Sequence, residues 1–115
     1  MYNNKVLVTG GTGFLGSGLV KGLLEKGYLV KVFDNNSRGS IEKLDKYKKD
    51  IEIIVGDIRD YSAVEASMKG VHSVYHLAYV NGTKYFYDKP GLVLDVGVKG
   101  SINTIDAAIK NDVEK

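Results

Sequence analysis

The sequence predicts an α/β fold: a doubly wound parallel sheet of about four strands in the order 3-2-1-4. Two observations indicate it. Short segments rich in β-branched and aromatic residues alternate with segments whose apolar residues recur at helical spacing, and a glycine-rich turn follows the first short segment. Alternation of this kind is typical of parallel strands joined by right-handed helical crossovers.

The predicted strands share a high content of valine, isoleucine and aromatic residues, and are Lys5–Thr9, Leu29–Phe33, Ile51–Val55 and Val71–Leu77. The predicted helices are Phe14–Lys26, a short helix capped by Ser40 that runs through Lys46, Ser62–Met68, and Gly91 to about Lys110. Ser62 and Glu65 form a capping-box pattern.

In the last helix the apolar positions Leu94, Val98, Ile102, Ile105 and Ala108 or Ile109 predict one long apolar face. The segment Tyr79–Pro90 carries no such pattern. We expect it to be an irregular loop, and its length suggests a functional one.

Composition and charge exclude several classes of protein. The chain of 115 residues suits one compact domain, and the absence of cysteine excludes disulfide scaffolds and thiolate metal sites. A net charge of +2 gives no indication of a nucleic-acid partner. No apolar stretch approaches the roughly 20 residues of a membrane span, and the first residues lack a signal-peptide pattern, so we expect a cytoplasmic protein without a membrane partner.

The glycine-rich turn, Gly10 to Gly16, satisfies G-x-G-x-x-G from Gly11 and follows a predicted strand directly. In a turn of this type the first glycines permit the tight bend, Gly13 lets a pyrophosphate approach the backbone, and Gly16 lets the helix pack closely on the strand. The helix N-terminus then attracts the phosphate charge. The alternative interpretation is a turn needed only for close packing of strand and helix.

An acidic residue, Asp34, ends the second predicted strand 18 residues after Gly16. A carboxylate at this place can accept both hydroxyls of an adenosine ribose and repels a 2′-phosphate, which favours NAD over NADP. Arg38 leaves NADP open, because an arginine can pair with a 2′-phosphate. The alternative role for Asp34 is to cap a turn.

Five motifs together resemble the N-terminal part of the extended short-chain dehydrogenases/reductases, the NAD-dependent epimerase/dehydratase family. They are TGGTGFLG (Thr9–Gly16), DNNSRG (Asp34–Gly39), GDIRD (Gly56–Asp60), HLAY (His76–Tyr79) and VGVKGSINTIDAA (Val96–Ala108). The resemblance implies that residues 1–115 are an NAD(P)-binding Rossmann domain, an N-terminal fragment without its catalytic and substrate-binding part.

The resemblance also implies a set of cofactor-binding residues: Gly10, Gly13, Phe14, Leu15, Gly16, Asp34, Asn35, Ser37, Asp57, Ile58, Leu77, Ala78 and Tyr79. The backbone N–H groups of Phe14 and Leu15 would bind the pyrophosphate. Asp34, Asn35 and Ser37 would bind the adenosine ribose, and Asp57 and Ile58 would contact the adenine. Leu77, Ala78 and Tyr79 would line the path to the nicotinamide ribose. His76 is interpreted as a packed strand residue, and Asp57 has a turn or helix cap as its alternative role.

Two positions depart from the family pattern. Tyr79 replaces a small alanine, which predicts a narrower or altered pocket at that point. Gly97 replaces an asparagine that positions active-site elements in the family, and it weakens the last helix by about 1 kcal/mol relative to alanine.

No catalytic residue and no metal ligand is predicted. The family's chemistry requires a Tyr-x-x-x-Lys pair, in which the tyrosine exchanges a proton, and a Ser/Thr. These residues follow the fifth strand of the family, beyond Lys115. The one match to the pattern, Tyr85 to Lys89, lies in the predicted loop before Pro90 and is interpreted as a coincidence.

The expected function is therefore the NAD-binding portion of a sugar-nucleotide epimerase or dehydratase, which transfers hydride between a sugar carbon and the nicotinamide. Two alternatives remain: a reductase of the same superfamily that acts on a non-sugar carbonyl, and a non-catalytic dinucleotide-binding sensor or scaffold. The partners implied are the dinucleotide and, in the full-length protein, a nucleotide sugar. A sheet edge left open where a fifth strand belongs also allows a homodimer.

Overall fold

The computed structural model describes residues 4–36, 40–80 and 83–115, with the backbone alone for residue 83. The strands are β1 (Lys5–Thr9), β2 (Leu29–Asp34), β3 (Ile51–Val55) and β4 (Ser73–His76). The helices are α1 (Phe14–Glu25), a 3₁₀ helix (Ile41–Tyr47), α2 (Tyr61–Ser67), α3 (Thr83–Asp88) and α4 (Pro90–Lys110).

The four strands form one parallel sheet of order β3-β2-β1-β4, which confirms the predicted fold class and strand order. Side chains alternate between the two faces of the sheet, so Val6 and Val8 of β1 pack on one side and Leu7 on the other. Helix α1 and the 3₁₀ helix cover the first face, whereas α2 and α4 cover the second. The sheet is thus doubly wound, as in Rossmann folds.

The apolar residues predicted for the last helix do lie on one face, but that face is not the one that packs on the sheet. The residues of α4 that pack on the sheet are Val93, Val96, Gly100, Thr104 and Ala107. The larger apolar residues of the predicted face are exposed: Leu94, Val98, Ile102, Ile105 and Ile109. We call these five residues the outer face of α4. Small residues lie against the sheet because they let the helix approach closely, so α4 has apolar residues on two opposite sides.

Two details of the shorter helices also differ from the prediction. Ser40 caps its helix as predicted, since its hydroxyl accepts a hydrogen bond from Glu42 N at 3.2 Å, but that helix is of the 3₁₀ type. Helix α2 begins one residue before Ser62, and its cap is Asp60, whose carboxylate accepts from Ala63 N at 3.4 Å. Aspartate caps a helix as well as serine does. The helix therefore begins directly after Asp60, which precedes Ser62 in the chain.

The segment predicted as an irregular loop contains α3, so that prediction was wrong in part. No glycine or proline interrupts residues 83–89, and Lys89 N donates to Tyr85 O at 2.9 Å. Pro90 then separates α3 from α4, because a proline disfavours the helical conformation of the residue that precedes it. It occupies the first position of α4, where its missing N–H costs nothing.

The outer edge of β4 bears the last two residues of the chain. Val74 N donates to Lys115 O at 2.7 Å, and Glu114 N donates to His72 O at 3.0 Å. The edge is therefore partly paired. Within the described ranges, no helix is both long and apolar enough to cross a bilayer.

The close contact between α1 and the glycine turn gives a test of the fold. A Cβ at position 16 would overlap the carbonyl oxygen of Gly10 and lie 2.8 Å from Gly11 Cα. We expect Gly16→Ala to lower the free energy of unfolding by about 3 kcal/mol or more, because only backbone movement relieves this overlap. Urea denaturation measures the loss.

Gly18→Ala is the matched control, since no atom lies within 4 Å of a Cβ there. It should leave stability unchanged or raise it by up to about 1 kcal/mol. Equal stabilities for the two variants would contradict the packing described here.

Candidate functional site

A groove runs across the carboxyl ends of all four strands and opens to solvent, with about 580 Å³ of free space. It includes the switch point between β1 and β4, where the strand order changes direction, which is the place where open α/β sheets bind ligands. Nine of the predicted cofactor-binding residues line it: Gly10, Gly13, Asp34, Asn35, Asp57, Ile58, Leu77, Ala78 and Tyr79. Phe33, Gly56, Val80 and Val96 complete the lining and were not predicted.

The glycine turn forms the floor of the groove through contacts that require Gly10. Its φ is +73°, its N–H donates to Phe33 O at 2.8 Å, and a Cβ would lie 2.8 Å from the carbonyl carbon of Leu77. Gly13 differs, because a Cβ there would meet only Gly10 O at 3.4 Å. The backbone at Gly13 is accordingly open toward the groove.

The N-terminus of α1 points its amides at this opening. Gly13 is the N-cap in an extended conformation, and within the part of the chain that the structure describes no side chain caps this end. The side chains of Phe14 and Leu15 are 86% and 73% exposed and do not line the groove. Their N–H groups belong to the first helical turn and have no intrahelical acceptor, which leaves them available to an anion.

Asp34 lies at the carboxyl end of β2 with both carboxylate oxygens held by backbone amides. Thr12 N donates to Oδ2 at 3.0 Å, and Asn36 N donates to Oδ1 at 2.6 Å. The turn-forming role considered for Asp34 is thus real, but each oxygen keeps a further lone pair for a ligand hydroxyl. Asn35 is exposed beside it, whereas Ser37 and Arg38 lie outside the described residues.

Asp57 is part of an ion-pair chain that the sequence did not reveal. Arg59 Nη2 lies 2.7 Å from Asp57 Oδ2, Arg59 Nη1 lies 2.9 Å from Asp95 Oδ2 on α4, and Lys99 Nζ lies 3.0 Å from Asp95 Oδ1. The hydrogen bonds from the Arg59 side chain hold the pKa of Asp57 below its usual range. The Asp57 carboxylate therefore stays ionised at the rim of the groove, where it can accept a hydrogen bond.

Ile58 is buried and fixed to α4 by two contacts. Asn103 Nδ2 donates to Ile58 O at 3.1 Å, and a Cβ at Gly100 would lie 2.8 Å from Ile58 Cγ2. These contacts give a physical reason for Gly100 and Asn103 in the VGVKGSINTIDAA motif. Together they bring the turn after β3 close to α4.

The turn after β4 is held by the hydroxyl of Thr9. Thr9 Oγ1 accepts from Leu77 N at 3.0 Å and from Ala78 N at 3.1 Å, and it lies 2.8 Å from His76 Nδ1. With both lone pairs occupied, the hydroxyl donates its proton to Nδ1, so the histidine carries its own proton on Nε2. His76 ends β4 and is partly buried, as expected of a packed strand residue, and burial lowers its pKa.

The comparisons with known proteins agree with this geometry. Residues 6–115 match the profile of the NAD dependent epimerase/dehydratase family. The chain is 33% identical to a putative UDP-glucose 4-epimerase of Methanocaldococcus jannaschii, covering 96% of this chain and 35% of that protein. It is 32% identical to cinnamoyl-CoA reductase 1 of Petunia hybrida, covering 96% of this chain and 33% of that protein.

Among solved structures, the UDP-glucose 4-epimerase of Thermus thermophilus in complex with NAD is similar, with a TM-score of 0.87 and 34% identity. The alignment covers 96% of this chain and 35% of that one. An epimerase of Methanothermobacter thermautotrophicus gives a TM-score of 0.90 at 31% identity, covering 96% and 33%. The chain thus spans about a third of the length of the proteins it matches.

The burial of His76 makes stability depend on pH. Burial lowers the folded-state pKa of His76 below the usual 6.5, so the unfolded chain binds the proton more readily than the folded one. The free energy of unfolding should therefore fall as the pH drops below about 6.5, by less than about 1.4 kcal/mol per pH unit for one proton.

Thermal unfolding between pH 7.5 and 5.0 measures this loss, with His76→Asn as the control. The asparagine offers an acceptor in place of Nδ1 but does not titrate, and His72 remains in both proteins. If the variant lost stability with falling pH as steeply as the wild type, His76 would not be responsible.

Proposed function

Because the chain belongs to the NAD dependent epimerase/dehydratase family, we propose that it binds NAD in the groove and serves a sugar-nucleotide epimerase or dehydratase. One observation supports this above the others. The groove places the Asp34 carboxylate, an acceptor for hydroxyl groups, beside the uncapped N-terminus of α1, a donor set for phosphate. A dinucleotide carries both a ribose with free hydroxyls and a pyrophosphate, and Rossmann folds bind the two on either side of the glycine turn.

Each part of the proposed cofactor has residues suited to it. The N–H groups of Phe14 and Leu15 donate to the pyrophosphate, for which the open backbone at Gly13 leaves room. Asp34 accepts from the adenosine ribose, and Asp57 accepts from the exocyclic amine of adenine beside Ile58. Leu77 and Ala78 border the half of the groove on the β4 side. Bound NAD supplies hydride chemistry, and the described residues bind and orient it.

We further propose NAD over NADP as the cofactor. The Asp34 carboxylate is fixed by two backbone amides and cannot swing away from a 2′-phosphate, so like charges would meet at that place. Arg38, the residue that could reverse this preference, lies outside the described residues.

We propose that residues 1–115 are the NAD-binding part of a longer chain, with the nucleotide-sugar site and the proton-transfer residues in the remainder. The matched relatives are about three times as long. The hydrogen bonds of Lys115 and Glu114 to the outer edge of β4 are those with which a fifth parallel strand would start.

A second candidate is a reductase of the same family that acts on a non-sugar carbonyl. The similarity to cinnamoyl-CoA reductase 1, at 32% identity, favours it specifically. A non-catalytic dinucleotide-binding protein is the third candidate. All three share the groove and differ in the chemistry of the substrate site.

The outer face of α4 supports a homodimer. Its five apolar residues, exposed in the structure, follow each other at intervals of four, four, three and four positions, which makes a straight stripe along the helix. Such a stripe suits packing against the same helix of a second copy, with the side-chain ridges of the two helices interlocked. We propose that second copy as its partner.

Titration calorimetry with NAD and NADP tests the cofactor assignment. The wild type should bind NAD more tightly than NADP, and Asp34→Ala should weaken NAD binding by about tenfold or more, as expected when a hydrogen bond to a charged group is lost. Asp50→Ala, which removes an exposed aspartate remote from the groove, is the matched control. Equal NAD affinity in wild type and in a folded Asp34→Ala variant would refute the assignment of Asp34 to the ribose.

Sedimentation velocity tests the homodimer. Ile102→Glu places a charge within the outer face of α4 and should convert a dimer into monomers, because an unpaired charge is costly to bury. Lys110→Glu changes the charge of an exposed residue outside that face and should leave the dimer intact. A wild-type protein that remains monomeric at high concentration would exclude this interface.

A further inference from the structure

Helix α4 has two glycines one turn apart, and each receives a side chain from a turn that follows a strand. At Gly100 the side chain is that of Ile58, from the turn after β3. At Gly97 it is that of Tyr79, from the turn after β4. The two turns that line the groove therefore lie against the same short stretch of helix.

The contact at Gly97 leaves no room for a side chain unless the Tyr79 ring moves. A Cβ at this position would lie 2.5 Å from Tyr79 Cε2 and 3.3 Å from both Cζ and the hydroxyl oxygen. The outer end of the ring thus rests directly on the helix backbone. Tyr79 and Gly97, the two positions at which the sequence departs from the family pattern, are in contact and depend on each other.

The remaining surface of the ring is available to a ligand. Tyr79 is 52% exposed and lines the groove together with Ile58 and Val96. Across residues 4–36, 40–80 and 83–115, no hydrogen bond to its hydroxyl is found. Since Gly97 and Gly100 are separated by a rise of about 4.5 Å along the helix, the ring end and Ile58 border the same part of the groove.

We propose that Tyr79, supported by Gly97, forms with Ile58 the apolar walls of the base-binding end of the groove and contacts the adenine ring. This deepens the proposed function and rests on it. It also moves Tyr79 from the nicotinamide side, where the resemblance placed it, to the adenine side. An aromatic ring that stacks on a flat heteroaromatic base buries a large apolar area, and the arrangement of the two rings adds further attraction.

Titration calorimetry with NAD and with ADP-ribose, which lacks the nicotinamide, tests this role. Tyr79→Ala should weaken both ligands by the same factor, about tenfold, as removal of an aromatic–base contact does. Tyr79→Phe should retain affinity within about twofold, because the ring and not the hydroxyl makes the contact. A loss confined to NAD, with ADP-ribose unaffected, would place Tyr79 at the nicotinamide and overturn the proposal.

The Gly97 contact is tested by a double-mutant cycle. Gly97→Ala should weaken both ligands about as much as Tyr79→Ala, because the new methyl displaces the ring, and the double variant should lose no more than Tyr79→Ala alone. Gly91→Ala, on the same helix with no atom within 4 Å of the new methyl, should bind like wild type. Losses that add in the double variant would refute the coupling.

Melting temperatures without ligand test the contact between Tyr79 and position 97, and NAD binding separates the role of Tyr79 from the proposed function. Alanine adds helix stability relative to glycine at position 97, and the overlap with the Tyr79 ring offsets part of that gain, so Gly97→Ala should raise the melting temperature less in wild type than in a Tyr79→Ala background. A wild type that binds no NAD refutes the proposed function and the ligand role of Tyr79 together. A wild type that binds NAD while Tyr79→Ala binds it equally well refutes only the role of Tyr79.

Discussion

The backbone contact between the glycine turn and the turn after β4 is the constraint on which the groove depends. Gly10 lies so close to the peptide between Leu77 and Ala78 that any side chain at position 10 would separate the two. The Thr9 hydroxyl reinforces the contact, since it accepts from both amides of that peptide segment. These contacts hold the ends of β1 and β4 together beside the N-terminus of α1.

Helix α4 has a comparable role on the other side of the site. It binds the turn after β3 through Asn103, Gly100 and the Arg59–Asp95 pair, and the turn after β4 through Gly97. Its inner face is made of small residues for this reason. A helix that packed with leucine and isoleucine would stand farther from the sheet, and the two turns would lose their common support.

The strand order and most of the groove could be predicted, partly from local patterns and partly, as for Ile58, Leu77 and Ala78, from the resemblance to a known family. Alternation of strands and helices dictates the crossovers, and the ends of parallel strands bring Gly10, Asp34 and Asp57 to one edge. The inner face of α4 escaped prediction because hydrophobic periodicity gives weight to large residues, whereas close approach selected Gly100 and Ala107. The Arg59–Asp95 pair joins residues 36 positions apart, and no local pattern indicates a contact of that kind.

The contact between Tyr79 and Gly97 restricts the order in which these two residues can have been acquired. A chain with a small residue at 79 and a larger one at 97 has two single-step routes to the present pair. If tyrosine comes first, its ring meets an occupied position on α4 and must turn away from the helix. If glycine comes first, the helix loses some intrinsic stability but no contact is violated. The route through glycine therefore avoids an intermediate with a displaced ring, and once the tyrosine is in place, a larger residue at position 97 displaces the ring from α4.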